Sequence, residues 1–265
     1  MPRLPTEATA LLDDLTSAVQ LILGSNLVGM YLYGSVTNSS FNPKRSDIDC
    51  IVVTRRRLSG TQFRELGTWL EKIATANAWT TRLQMSLLVK DRLLVGQGLD
   101  EQTSHRKVSC LYQFGVLSRC GSDGNPIVWM DHLRRGKVLV GPTAKSLLPE
   151  ITKEMLAAAL LRELGYLRAE LQESPESEWR DVPMYRAYAT LTICRILYTE
   201  AKGTVVSKPM AARWAIKNFP DRFRTIIERA LDYNNTGRDV ELPLQSLRAF
   251  LKFAKRNLSS RRERT

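Results

Sequence analysis

Two aspartates that flank one apolar residue, in the run Ser46-Asp47-Ile48-Asp49, have the residue types and spacing best suited to chemistry. At strand spacing both carboxylates point to one face, while Ile48 points the other way into the core. Hard divalent cations need oxygen ligands, and Mg²⁺ combines one or two carboxylates with substrate phosphates. The pattern predicts Asp47 and Asp49 as catalytic residues and as Mg²⁺ ligands.

A Gly-Ser pair, Gly34 and Ser35, precedes the aspartates by a short polar loop. Glycine lets the backbone approach a phosphate closely, and a serine hydroxyl can hydrogen-bond it. The flanking runs, 28–33 and 47–53, are typical of apolar strands, and the loop between them is rich in turn formers. We therefore expect Gly34, Ser35 and Ser46 to bind a nucleotide. An isolated Asp pair would also suit an Asx turn at the start of a strand.

These motifs resemble those of the nucleotidyltransferase superfamily, which shares a polymerase-beta-like core. Within it the chain is most similar to the streptomycin/spectinomycin (aminoglycoside) adenylyltransferases. The segments that carry the resemblance run through both halves of the chain: Leu32–Ser35, Ser46–Asp49, Val140–Pro142, Leu191–Tyr198, Gly203, Lys208 and Ala212–Ala215.

The resemblance implies an activity and a set of partners. AMP would pass from Mg²⁺-bound ATP to a hydroxyl of a small acceptor, an antibiotic such as streptomycin or spectinomycin, and so confer antibiotic resistance. Arg195 and Lys208 occupy positions that reach the ATP phosphates in that family. Arginine can chelate phosphate oxygens and lysine supplies a point charge, so both residue types suit a triphosphate lying between the two halves.

The third acid of the family is replaced in this chain. The family has a glutamate on a neighbouring strand, which can act as base towards the acceptor hydroxyl, and the matching position is Gln84. An amide cannot take that proton at neutral pH. Alternation along the strand predicts that Gln84 and Ser86 face the ligand cleft, while Leu83, Met85 and Leu87 face the core. We expect Gln84 in the catalytic site, with impaired activity as a consequence.

The most acidic stretch, residues 173–181, carries Trp179 and Asp181. Carboxylates and an aromatic ring suit a polycationic antibiotic, so Trp179 and Asp181 are candidates for acceptor binding. An exposed loop between helices is the alternative for this stretch.

Two other functions stay open. Lys and Arg outnumber Asp and Glu by 39 to 27, a net charge of +12, which favours anionic partners. Nucleotide addition to RNA or tRNA, as in toxin-like members of the superfamily, would use that charge. A nucleotide-binding protein with little transferase activity would explain Gln84.

The periodicity of apolar residues changes near Pro149. Before it we predict a nucleotidyltransferase domain of α/β (α+β) type with a mixed sheet, spanning 1–149; after it, an all-α helical-bundle domain spanning 150–265. The first half has predicted helices at 6–24, 58–76 and 126–135, and predicted strands at 28–33, 47–53, 83–89, 108–117 and 137–140. The second half has helical patterns beginning at 155 and at 185–201, 209–218, 222–233 and 244–258.

Composition limits the remaining classes. No apolar run is long enough to span a membrane, and the first residues lack the apolar stretch of a signal peptide. The four cysteines are far apart with no CxxC pair, which argues against zinc and for free thiols in a reducing cytosol. Cys50 and Cys194 lie in apolar patterns typical of core positions. We expect a cytoplasmic protein, monomeric and without membrane contact.

Overall fold

The computed structural model describes residues 4–93, 106–123, 134–148, 150–173 and 178–262. These residues divide into two compact units, one ending at Glu150 and the other beginning at Ile151. The first unit contains a sheet with helices, and the second is helical. The predicted fold class, a mixed-sheet domain followed by an all-α domain, is confirmed.

The strands of the first unit pair in one mixed sheet. Within the described ranges six strands join it, in the order β5-β4-β3-β2-β1-β6. Only β2 and β3 pair in parallel; the other neighbours are antiparallel. The strands are β1 (Leu27–Tyr33), β2 (Ile48–Thr54), β3 (Leu83–Val89), β4 (Arg106–Gln113), β5 (Val116–Asp123) and β6 (Lys137–Val140).

Parallel neighbours need a crossover connection, and a helix between β2 and β3 supplies it. This helix, α2 (Gly60–Ala76), begins with a capping box in which Ser59 and Gln62 satisfy each other's backbone N–H groups. Before the sheet, α1 (Thr6–Leu23) buries residues at helical spacing from Ala8 to Leu23. The short helices α3 (Lys90–Leu93) and α4 (Ala144–Leu147) complete the first unit as described.

Alternate residues of the central strands build the apolar core with α1 and α2. The inward set, all buried in one cluster, is Met30 and Leu32 from β1, Ile48, Cys50 and Val52 from β2, and Leu83, Met85 and Leu87 from β3. The intervening residues, Asp49 and Gln84 among them, point to the opposite face of the sheet. The predicted parity of β3 is therefore correct.

The second unit is organised around one helix that is buried on nearly all sides. Its helices are α5 (Lys153–Arg168), α6 (Pro183–Lys202), α7 (Lys208–Asn218), α8 (Arg224–Thr236) and α9 (Leu244–Arg262). The central helix is α6, which contacts α5, α7, α8 and α9. Its buried residues include Ala189, Ile193 and Leu197, and a helix that is buried all round has little amphipathic character.

The structure corrects one prediction and leaves another untested. The predicted single strand at 108–117 is wrong: the chain turns at Phe114 and Gly115, both with positive φ, and pairs β4 with β5 as a hairpin. Two central residues of positive φ are typical of a two-residue hairpin turn. The predicted helix at 126–135 lies mostly outside the described residues. None of the described helices is long and apolar enough to cross a membrane.

Burial makes the described cysteines unreactive, which gives a first prediction. Cys50, Cys110 and Cys194 are buried as free thiols. Burial raises the pKa of the Cys50 thiol, with a further contribution from the charge of Asp49, and burial also raises the pKa of Cys194. Because the thiolate is the reactive form, we expect iodoacetamide at pH 8 to leave Cys50 and Cys194 unmodified in the folded protein. Peptide mass spectrometry checks this, with full labelling in guanidinium as the control; labelling of either cysteine in the folded protein would contradict the burial.

Candidate active site

The candidate site lies at one edge of the sheet, on the face opposite α1 and α2. Strand β1 ends at Tyr33, which pairs with Asp49 near the start of β2. In the parallel pair, Asp49 lies beside Gln84 near the start of β3. Because β1 runs antiparallel to β2 while β3 runs parallel to it, the end of β1 and the starts of β2 and β3 meet at the same edge. The structure thus brings Gly34, Asp49 and Gln84 together as the sequence predicts.

The Asp49 carboxylate occupies the space that a side chain at position 34 would need. A Cβ atom built on Gly34 would lie 2.1 Å from Asp49 Oδ2. Gly34 also has φ of +72°, in the left-handed region that side chains disfavour. Both observations favour glycine at position 34. The space that a side chain would fill there is occupied by the Asp49 carboxylate, in addition to any phosphate that Gly34 approaches.

The turn after β1 is closed by side chains of its own loop. Residues Gly34–Thr37 form a 3₁₀ turn. The carbonyl oxygen of Gly34 accepts hydrogen bonds from Thr37 Oγ1 at 2.9 Å and from Asn38 Nδ2 at 2.8 Å. Ser35 lies in this turn, half-buried, and its carbonyl oxygen accepts from the Asn38 N–H. These bonds fix the backbone around the predicted phosphate contact.

The segment that enters β2 is held by a second turn. The Asn42 N–H donates to Ser46 Oγ at 2.9 Å, and the Ser46 N–H donates to the Asn42 carbonyl oxygen at 2.8 Å. Ser46 is therefore a structural residue of the loop. Its hydroxyl also carries a proton that can be donated to a ligand oxygen.

The amide of Gln84 contacts a predicted metal ligand. Gln84 Nε2 donates to Asp47 Oδ2 at 3.1 Å. Gln84, Asp47 and Asp49 are all half-buried, so the three side chains form one polar group at the sheet edge. The predicted orientation of Gln84 towards the aspartates is correct. The amide donates to a carboxylate at the position where the resemblance implies a third acid.

Two titratable groups, the Cys50 thiol and the Arg82 guanidinium, lie close to the aspartate pair. The charge of Asp49 contributes, after burial, to raising the pKa of the Cys50 thiol behind it. Burial lowers the pKa of the Arg82 guanidinium, and the nearby Asp47 opposes that effect. Arg82 was not predicted as a site residue, because one cation among 39 basic residues carries no local signal. Arg82 is the last residue of a 3₁₀ turn, Ala78–Arg82, directly before β3, so strand alternation does not point to it.

The oxygen donors of Asp47, Asp49 and Gln84 limit how a divalent cation could bind at this site. Within the described ranges no group of three or more His, Cys, Asp and Glu side chains is placed to hold a metal ion. Asp47 and Asp49 provide two carboxylates, and the Gln84 amide oxygen is a neutral donor. This set does not fit an all-protein metal site. It does fit Mg²⁺ that also takes oxygens from a bound phosphate, which is the usual mode for that ion.

The predicted phosphate-binding cations lie in the second unit. Arg195 is half-buried in α6, and Lys208 is the first residue of α7. The Lys208 ammonium lies 3.5 Å from the ring centroid of Tyr188, in a cation–π contact. Tyr188 precedes Arg195 by two helical turns and therefore shares its face of α6. The structure thus directs both cations to one face of the helical unit.

Of the predicted acceptor residues, Trp179 lies within a 3₁₀ turn, Glu178–Arg180, and Asp181 follows that turn directly. Asp181 is exposed, and its N–H donates to the Glu178 carbonyl oxygen. The side chain of Trp179 lies outside the described part of the structure. The exposed Asp181 side chain is accessible to a ligand. Its role in acceptor binding stays a prediction.

Comparison with protein families matches both halves of the chain. Residues 17–80 match the model of the nucleotidyltransferase domain. Residues 146–257 match the model of the aminoglycoside adenylyltransferase C-terminal domain. The first range includes Gly34, Asp47 and Asp49, and the second includes Arg195 and Lys208.

Individual relatives cover most of the chain. A spectinomycin 9-adenylyltransferase of Campylobacter jejuni is 24% identical over 229 residues, which cover 82% of each chain. An aminoglycoside (3'') (9) adenylyltransferase of Shigella flexneri is 25% identical over 238 residues, 84% of each chain. Among solved structures, the spectinomycin adenyltransferase AAD(9) from Enterococcus faecialis, crystallised with ATP and spectinomycin, has a TM-score of 0.72 at 17% identity. That likeness covers 95% of this chain and 99% of the other, and it concerns the fold.

The close approach at Gly34 gives a second prediction. Replacing Gly34 with alanine places Cβ 2.1 Å from Asp49 Oδ2, so the carboxylate must move. Misplacing a catalytic group by about 1 Å can cost roughly 10²-fold in rate. We expect Gly34→Ala to lose activity by about that factor, measured as kcat/KM for ATP.

Gly115→Ala is the matched control for Gly34→Ala. Gly115 has φ of +80°, so alanine there suffers similar backbone strain, but no atom lies within 4 Å of its Cβ position. We expect Gly115→Ala to lower the melting temperature while keeping wild-type kcat/KM. Equal activities of the two variants would show that the contact with Asp49 is not what requires glycine.

The contact between Gln84 and Asp47 gives a third prediction. Gln84→Glu replaces a donor with a carboxylate beside Asp47, and like charges this close repel. We expect a lower melting temperature without Mg²⁺ that saturating Mg²⁺ restores. A positioned base can contribute about 10²-fold or more in rate, so turnover at saturating Mg²⁺ should rise towards that factor.

Gln113→Glu adds the same charge on β4, at a half-buried position near the hairpin turn. Its melting temperature should not depend on Mg²⁺. If Gln84→Glu at saturating Mg²⁺ turned over no faster than the wild type, a missing base at position 84 would not be what limits the rate.

Proposed function

The chain belongs to the nucleotidyltransferase superfamily, in the family of aminoglycoside and spectinomycin adenylyltransferases, and we propose that it transfers AMP from Mg²⁺-bound ATP to a hydroxyl of an aminoglycoside or aminocyclitol such as streptomycin or spectinomycin. By family membership it is a nucleotidyltransferase. Family membership gives only this reaction class. The identities of the acceptor, the nucleotide and the metal are proposed.

One observation carries the proposal: Asp47 and Asp49 lie together at one edge of the sheet, with Asp47 hydrogen-bonded to Gln84 and Asp49 directly against Gly34. The register of β1 with β2 points Asp49 away from the core, and the turn 34–37 leads the backbone past it. Two carboxylates beside a Gly-Ser turn suit Mg²⁺ and the phosphates of a nucleotide. When bound, the metal would neutralise charge on the reacting oxygens.

The reaction class follows from the chemistry of ATP and an alcohol. The acceptor hydroxyl oxygen forms a bond to the α-phosphorus, and the bond from that phosphorus to the bridging α,β-oxygen breaks. Pyrophosphate leaves with the bonding electron pair. The hydroxyl proton passes to solvent or to a basic group of the acceptor, because the Gln84 amide cannot take it. The chain's own residues contribute by binding and orienting the reactants.

The helical unit would supply the cations for the phosphates. We assign residues 1–149 as the catalytic domain and 150–265 as the helical domain, with Arg195 and Lys208 on the triphosphate. Their chemistry supports this, since a guanidinium chelates phosphate oxygens and an ammonium adds a point charge. The Tyr188 ring restrains the Lys208 ammonium at 3.5 Å and so limits the freedom lost on binding.

The acceptor would bind through negative charge and aromatic surface. Asp181 is exposed beside the turn that contains Trp179, and the stretch around them is acidic. A polycationic drug gains from such a surface by charge attraction and by stacking. Two observations favour other functions: the net charge of +12 suits RNA as acceptor, and the Gln84 amide suits a nucleotide-binding protein with little turnover.

The fourth prediction separates these functions. ATP labelled on the α-phosphate is offered with streptomycin, spectinomycin or bulk tRNA. We expect label on one of the drugs with release of pyrophosphate, and a loss of roughly 10²-fold or more in Asp47→Asn and Asp49→Asn because the metal ligands are removed. Asp14→Asn, an exposed aspartate of α1, is the charge-matched control and should keep wild-type activity.

Two other outcomes would support a different function, and a third would contradict the assignment of the site. Label on tRNA alone would replace the drug with RNA as acceptor. ATP binding by calorimetry with no label on any acceptor would favour the binding protein. Unchanged transfer in both Asp47→Asn and Asp49→Asn would remove the site assignment itself.

A further inference from the structure

We propose that Arg82 is a positioning residue that fixes the loop leading into Asp47 and thereby sets the affinity of the site for Mg²⁺-bound nucleotide. The inference rests on the proposed function, since it assumes that Asp47 binds the metal of the nucleotide. Arg82 belongs neither to the aspartate pair nor to the proposed phosphate-binding cations, Arg195 and Lys208.

The first observation is a pair of hydrogen bonds to the loop backbone. Arg82 Nη1 donates to the Pro43 carbonyl oxygen at 2.7 Å, and Nη2 donates to the Ser46 carbonyl oxygen. The two carbonyl groups lie on either side of residues 44 and 45. One guanidinium therefore holds both ends of the segment 43–46. Hydrogen bonds from a charged donor are stronger than neutral ones, and the planar fork fixes direction as well as distance.

The guanidinium is itself held in place by an aromatic ring. Arg82 Cζ lies 4.1 Å from the ring centroid of Trp79, which is 8% exposed and packs in the core. Phe41, from the same loop that Arg82 fastens, stacks on Trp79 with centroids 6.2 Å apart. Stacking restricts the guanidinium plane before any ligand binds. The loop is therefore attached to the core through both Phe41 and Arg82.

The held segment leads directly into a metal ligand. Ser46 precedes Asp47, and the turn between Asn42 and Ser46 is closed at its other side by the bonds to the Ser46 N–H and hydroxyl. Arg82 adds the bond to the Ser46 carbonyl, which belongs to the peptide group of Asp47. The position of the Asp47 backbone thus depends on the Arg82 guanidinium. The Asp47 side chain is held separately, by Gln84 Nε2.

Charge reinforces the geometry. Burial lowers the pKa of Arg82, and Asp47 opposes this effect while Arg45 adds to it, so the guanidinium lies within electrostatic reach of the Asp47 carboxylate. An arginine stays protonated at physiological pH in spite of such burial. It therefore stabilises the charged carboxylate at the same time as it holds the backbone.

The test is calorimetry of Mg²⁺-ATP binding, without acceptor, to the wild type and to Arg82→Met, which keeps the apolar stem and removes the fork. We expect the dissociation constant to rise about 10- to 100-fold, as for a displaced functional group. Arg82→Lys keeps the charge but cannot bridge two carbonyls, so we expect a smaller rise, and this variant decides if Arg82→Met does not fold. ATP binding in EDTA should change less than twofold in either variant.

Arg119→Met is the matched control. Arg119 lies on β5 with its guanidinium 4.2 Å from the ring centroid of Phe63, so the substitution removes a cation–π arginine of the same unit that the loop does not contact. Its dissociation constant should equal that of the wild type. A merely structural loss at Arg82 would lower the fraction of binding sites and leave the dissociation constant unchanged.

Two results would overturn the inference in different ways. If folded Arg82→Met, or Arg82→Lys where Arg82→Met does not fold, bound Mg²⁺-ATP within twofold of the wild type, Arg82 would not position Asp47, and the proposed function would stand. If the wild type itself bound no Mg²⁺-ATP, the proposed function would fail and the role of Arg82 with it.

Discussion

The register in which the first three strands pair is the constraint on which the site depends. Side chains alternate along a strand, so Ile48 and Cys50 enter the core only when Asp49 points to the other face. The same register places Asp49 opposite Tyr33 and beside Gln84. A slip of one residue would turn Asp49 into the apolar core and expose Cys50. Burial of the apolar face therefore positions the carboxylate before any ligand binds.

The same constraint explains how much of the site could be predicted from sequence. The alternation of apolar and polar residues is a local signal, so it predicts both the strands and the face that each residue occupies. Asp49 and Gln84 lie where that alternation places them, and the buried residues of α1 follow helical spacing. The approach of the Asp49 carboxylate to Gly34 was not predicted, because the sequence assigns that glycine only to a phosphate contact.

What the sequence did not predict depends on contacts between distant residues. Arg82 reaches the Pro43 carbonyl across 39 positions, and no local pattern distinguishes that arginine from an ordinary surface cation. The hairpin of β4 and β5 was predicted as one strand because apolar residues continue across it. Its turn depends on Phe114 adopting positive φ beside Gly115, a conformation that an aromatic residue rarely takes.

Neither residue that extends from the start of β3 towards Asp47 is a carboxylate. Gln84 donates to its side chain, at the position where the resemblance implies an acid, and Arg82 donates to the backbone just before it. Donors reduce the repulsion between Asp47 and Asp49 when no cation is present. Neither donor can take a proton from an acceptor hydroxyl at neutral pH. A site built in this way contributes through orientation and charge rather than base catalysis. Under the proposed function, the proton of the acceptor hydroxyl would therefore leave to solvent or to the acceptor's own amines.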